Sequence, residues 1–183
     1  MLMNSEQRYG TLSLGLHWLT LGLMIAVYAL IEFRDLFPKD DPGRDLMKHW
    51  HFMLGLLIFA LVWLRLLLRA ISPTPRIVPE LSPLLHKMAK LAHLVLYAFL
   101  ILTPLFGWLL LSAAGKPIPF FGLTLPSLIS PNPDLRGLIK EVHETLGNIG
   151  YALIALHTLA ALFHHHVLKD NTLSHMLPPR RQP

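Results

Sequence analysis

The chain has 183 residues, 53% of them hydrophobic and only 15% charged. A soluble domain carries about 25% charged residues, so this composition excludes an ordinary water-soluble globule and points to a membrane protein. Cysteine is absent. That excludes disulfides, thiolate catalysis, iron–sulfur clusters and thiolate-bound haem within the chain. The net charge of +5 reads as basic flanks on anionic lipid; no basic stripe with interleaved aromatics suggests a nucleic-acid partner.

Four apolar segments, each long enough for a ~30 Å hydrocarbon core, follow in order. They cover residues 11–31, 46–68, 84–113 and 138–168. The expectation is therefore an all-α, integral membrane four-helix bundle forming one domain over residues 1–183. The first segment reads as a retained span rather than a cleaved signal, because its n-region is weakly charged, with Glu6 beside Arg8. Pro104 and Gly107 are expected to bend the third. A Pro-rich linker, Ser72-Pro73-Thr74-Pro75, separates spans two and three, and residues 115–133 read as an irregular interfacial loop. Lys and Arg are least diluted by acids on the side that holds the termini, among them Arg8, Arg69, Arg76, Lys87, Lys90 and Lys169. This places both ends in the cytoplasm.

Eleven histidines in so apolar a chain are the main functional signal, because an imidazole inside hydrocarbon needs a cause. His143 and His157 lie fourteen residues apart in span four. That is close to four helical turns, so both share one face about 21 Å apart along the axis. Depth pairs His157 with His17 of span one and His143 with His51 of span two. Each pair would grip one iron from both sides, leaving no open position, which suits electron transfer. In His49-Trp50-His51 only one imidazole can face inward; Gly55, one turn past His51, favours His51 and leaves His49 at the interface. Gly147 and Gly150 share the histidine face of span four and would make room for a porphyrin, as Gly55 would on span two. Arg65, fourteen residues after His51, can meet a haem propionate or snorkel to headgroups, whereas Arg69 reads as a topology anchor. His93 and Tyr97, one turn apart, can bond a propionate or a quinone, or satisfy each other. His164 continues the stripe toward a quinone or a proton path; His165 and His166 read as interfacial.

Several pieces together resemble the bacterial cytochrome b-561 family of small di-haem membrane proteins. They are Gly15-Leu16-His17-Trp18-Leu19, His51 with Gly55 leading into Arg65-Leu66-Leu67-Leu68-Arg69, and Ala92-His93-Leu94. His143-Glu144-Thr145-Leu146 with His157, and Lys169-Asp170-Asn171-Thr172-Leu173, complete the set. The resemblance spans nearly the whole chain. It implies two haem b groups on His17, His51, His143 and His157, in a bacterial inner membrane. It also implies a superoxide oxidase, taking electrons from superoxide at the periplasmic face and delivering them to ubiquinone near the cytoplasmic face. His164 matches a position near that quinone site. A polar cluster of His164, His165 and Lys169 would supply protons, while Lys90 stands where a related sequence has His. A basic patch from Arg34, Lys116, Arg136 or Lys140 would steer the anion. Two other functions compete: a cytochrome subunit taking electrons from a dehydrogenase or hydrogenase, and a haem-free, His-rich metal transporter.

Overall fold

The structure is a computed structural model, described here for residues 1–177. It is a membrane four-helix bundle. The helices are α1 (Thr11–Phe33), α2 (Pro42–Ile71), α3 (Pro83–Ala113) and α4 (Pro133–Phe163), and all four are long and apolar enough to cross a bilayer. Three of them start on the same local device. Asp41, Ser82 and Asn132 each accept a hydrogen bond from the backbone of the first turn, and each is followed by a proline at the first helical position. Such a residue satisfies an otherwise orphaned N–H, and proline has none to lose. These helices therefore begin ahead of the apolar runs that mark them in the sequence, α2 and α4 at Pro42 and Pro133 rather than at 46 and 138, and α3 at Pro83 rather than at 84.

Residues 115–133 are not wholly irregular, as the sequence reading expects. They contain an antiparallel hairpin, β1 (Ile118–Phe120) and β2 (Leu123–Leu125). Phe121 and Gly122 form its two-residue turn, both with positive φ (45° and 86°). That geometry matches the twist of paired strands but normally selects Asn-Gly, so the sequence hides it. The hairpin packs on α2 and α3: Ile118, Leu56 and Leu111 form a small buried cluster with Phe52, Trp108, Phe120 and Leu125 around it. Trp108 Nε1 donates to the Pro126 carbonyl (2.9 Å), and Ser112, wholly buried, holds Leu128 N–H (3.1 Å).

Elsewhere far more large apolar side chains are exposed than buried, as expected where lipid supplies the covering. Backbone packing is close at the α1–α2, α2–α3 and α3–α4 seams. The α1–α4 seam is joined instead by side chains reaching across. Tyr28 Oη donates to the Gly147 carbonyl (2.7 Å), Tyr151 Oη donates to Glu32 (2.7 Å), and the two tyrosine rings lie 4.4 Å apart. At the end that holds the termini, three loops are stitched together. Asn171 Oδ1 accepts from Val78 N–H (2.8 Å), Asn171 N–H donates to the Val78 carbonyl (3.2 Å), and Arg76 pairs with Glu6 (3.0 Å).

Candidate functional site

Two imidazole pairs face each other inside the bundle. At the hairpin end, His51 of α2 and His143 of α4 have ring centroids 6.3 Å apart. Toward the termini, His17 of α1 and His157 of α4 are also 6.3 Å apart. An imidazole nitrogen lies about 1.1 Å from its ring centre and binds a metal at about 2.0 Å, so two rings sharing one ion have centroids about 6 Å apart. Both pairs meet that condition. Direct hydrogen bonding between the rings would bring them closer. No group of three or more His, Asp or Glu that could hold a bare metal ion occurs among the described residues. The donor sets are thus pairs, which suits a cofactor that brings its own equatorial nitrogens.

The hairpin-end pair is oriented from behind. His51 Nδ1 lies 2.9 Å from the Val27 carbonyl and His143 Nδ1 2.9 Å from the Thr103 carbonyl. A carbonyl can only accept, so each ring carries its hydrogen on Nδ1 and presents Nε2 as a lone-pair donor. The Thr103 hydroxyl is buried with no hydrogen-bond partner. Gly107, read from sequence as a bend, has a second role. A Cβ there would lie 3.1 Å from the His143 ring, so the glycine gives that imidazole its room.

The pair nearer the termini is built differently. Arg65 Nη2 lies 3.4 Å from His17 Nδ1. His157 has a second imidazole neighbour, His93, with centroids 6.0 Å apart. His93 donates its Nδ1–H to the Ala89 carbonyl (2.7 Å) and does not bond Tyr97. Tyr97 instead lies between two arginines: the guanidinium carbons of Arg65 and Arg69 sit 5.8 and 5.7 Å from its ring centre. Arg69 is exposed, as a topology anchor would be, and also lies against the Tyr97 ring. Neither arginine has a carboxylate within 4.0 Å among the described residues. Arg65 is half-buried and Arg69 exposed at the rim, and two cations without a carboxylate partner make a place for an anion. Tyr9, from the N-terminal segment, lies near this cluster, and burial pushes its hydroxyl pKa up.

The glycines divide. A Cβ at Gly55 or Gly147 would meet no atom within 4 Å, so both border open space. Gly150 does not. A Cβ there would overlap the Tyr28 hydroxyl and the Phe99 ring, so Gly150 is a close-packing position and its assignment to porphyrin contact is corrected. At the far end His164 faces Asp170 rather than clustering with His165 and Lys169; His165 and His166 stack edge to face on the exposed side, and the Lys169 side chain is exposed. His49 is exposed. Of the basic residues expected to steer an anion, Arg34 and Lys140 are tied to Asp35 and Glu144. Lys116 and Arg136 have no such partner among the described residues.

Comparison with known proteins gives a consistent result. Residues 8–179 match the family model described as prokaryotic cytochrome b561. The chain is 39% identical over 174 residues to cytochrome b561 homolog 1 of Escherichia coli (strain K12), covering 95% of this chain and 99% of that protein. It is 40% identical over 176 residues to the probable superoxide oxidase CybB of Yersinia pestis, covering 96% and 99%. Cytochrome b561 homolog 2 of Escherichia coli (strain K12) is 31% identical over 175 residues, covering 95% and 93%.

Proposed function

The chain belongs to the prokaryotic cytochrome b561 family, a multi-pass bacterial membrane cytochrome that transfers electrons, and from that premise we propose that it is a superoxide:ubiquinone oxidoreductase of the inner membrane. The observation that carries the reading is the two imidazole pairs at 6.3 Å, one toward each end of the bundle. His51 with His143, and His17 with His157, would hold two haem b groups through their imidazole nitrogens. Bound haem supplies a one-electron carrier at each level. With both termini cytoplasmic, the hairpin end lies in the periplasm and the Arg65–Tyr97–Arg69 cluster near the cytoplasm. The overall balance is two superoxide ions, one ubiquinone and two protons giving two dioxygen and one ubiquinol. The Yersinia pestis relative, named a probable superoxide oxidase, supports this choice of donor.

The chain's own residues have distinct tasks. Val27 and Thr103 carbonyls hold His51 and His143 as Nε2 donors. A His17 that ligates through Nε2 carries its hydrogen on Nδ1 and cannot accept from Arg65. Arg65 would then be free, with Arg69, to hold a haem carboxylate at this end. Arg65→Gln is expected to lower the midpoint potential of the cytoplasmic-side haem alone, since a nearby cation favours the reduced form. The shift should be tens of millivolts, with ~59 mV corresponding to a tenfold change for one electron. A spectroelectrochemical titration reads it, and an unchanged pair of midpoints removes Arg65 from the site.

The function is tested by mixing the purified, haem-loaded protein with a steady source of superoxide. Haem absorbance should shift to the reduced form within the mixing experiment, and superoxide dismutase should suppress the shift. Reduction that occurs only when a soluble dehydrogenase is added would replace this reading with that of an electron-transfer subunit.

A further inference from the structure

Asp170 is a buried carboxylate that neither imidazole pair uses. Its side chain is 1% exposed and its Oδ2 lies 2.5 Å from His164 Nδ1. The other oxygen, Oδ1, accepts the Thr172 backbone N–H at 2.9 Å. The chain makes an unusual path to bring them together. After α4 the helix widens into a π-helical stretch, His164–Leu168, and Lys169 then takes a left-handed conformation with φ 55°. This turns Asp170 back so that its N–H meets the His164 carbonyl (3.2 Å) and its side chain meets the His164 ring. A π-helical turn departs from regular α-helical hydrogen bonding, is rare, and is frequent at functional sites. Closing the turn requires only the backbone bond; it does not require the ring.

His164 is seven residues beyond His157, hence on the same face and about 10 Å further along the axis. Its ring is held with Nδ1–H toward Asp170, which leaves Nε2 as the atom free to exchange a proton. The next titratable group behind Asp170 is His175, and it is held separately, 3.1 Å from the Asn171 amide. Lys169, His165 and His166 turn their side chains outward. Burial pushes the Asp170 carboxyl up, but hydrogen bonds from the His164 ring and from Thr172 outweigh it, and Asp170 titrates below its ordinary value.

We propose that Asp170 is the positioning residue for His164, fixing the imidazole so that Nε2 hands a cytoplasmic proton to a quinone oxygen at this end of the bundle. The inference rests on the proposed reduction of ubiquinone. Each turnover needs two electrons, drawn from two superoxide ions, and two protons. For a proton so delivered, the Nε2–H bond breaks as the quinone O–H bond forms, and the ring takes a replacement from the cytoplasmic water. Asp170 stays ionised throughout and holds the ring between the two transfers.

The test uses the purified, haem-loaded protein, reduced beforehand and mixed with a short-chain ubiquinone in a stopped-flow instrument. D170N should slow haem reoxidation at saturating quinone by about tenfold or more, the scale of a misplaced proton donor, with the half-saturating quinone concentration little changed. The solvent deuterium isotope effect should rise, and D170E should recover most of the rate. H164Q removes the exchangeable ring but leaves the Asp170–Thr172 turn, and should be as slow as D170N. Wild-type rates in H164Q overturn the proposal even where D170N fails to assemble. So does a D170N defect confined to weaker quinone binding. A wild-type protein whose reduced haems are not reoxidised by quinone instead overturns the ubiquinone reading, and this inference with it.

Discussion

His143→Ala and His51→Ala are each expected to halve the haem content of the purified protein, removing the periplasmic-side haem and sparing the other. His17→Ala and His157→Ala should give the complementary loss. The size of the effect follows from the geometry. On the proposed ligand set each ion would be held by two protein nitrogens, so deleting one would remove half of the protein's bonds to it, whereas loss of an orienting partner alone costs about 10–100-fold in affinity. The informative control is His93. Its ring is as near to His157 as the ring of His17 is (6.0 against 6.3 Å). If His17 is the ligand, His93→Ala retains both haems and only the spectrum of the cytoplasmic-side one changes. If His93→Ala loses a haem and His17→Ala keeps two, α3 supplies the ligand in place of α1. Haem per chain by the pyridine haemochromogen assay, with split low-temperature spectra, separates these outcomes.

The second large effect is a contrast between two glycines three residues apart. Gly150→Leu should abolish assembly. Overpacking typically costs about 1–3 kcal/mol, occasionally more, when neighbours can shift. Here the neighbours are the Tyr28 hydroxyl, already bonded to the Gly147 carbonyl at 2.7 Å, and Phe99, which is 5% exposed. Neither has anywhere to go. Gly147→Leu, by contrast, projects into open space. The bundle should form, as read by a monodisperse elution profile, but with the periplasmic-side haem missing because a leucine occupies its place. Normal yield and melting temperature for Gly150→Leu would contradict the packing described at the α1–α4 crossing. Two haems in Gly147→Leu would show that the space beside it belongs to something else.

The four helices were legible because hydrocarbon demands unbroken apolar runs, and little else in a sequence looks like that. Their starts were less so. Asp41-Pro42, Ser82-Pro83 and Asn132-Pro133 carry the capping signal plainly, but counting apolar residues passes over it. The fourteen-residue interval in α4 places two imidazoles on one face, and the structure brings a histidine from another helix to each. What periodicity cannot supply is reach. Gly147 and Gly150 fall on the same stripe, and only the reach of Tyr28 from α1 and Phe99 from α3 decides that one borders space and the other a wall. The same holds for His93, whose nearness to His157 depends on the rotation of α3. It holds too for Asp170, whose approach to His164 needs a π-helical stretch and a left-handed lysine that no local composition announces.

The α1–α4 seam, bridged by tyrosines rather than by packed backbone, has a consequence for biogenesis. The other three seams close backbone against backbone, while this one is held by Tyr28 on Gly147 and Tyr151 on Glu32. Parting it would cost those two hydrogen bonds and the contact of Tyr28 with Gly150 but no packed backbone, so it is the seam at which the bundle would open most cheaply to a bulky group arriving from the leaflet.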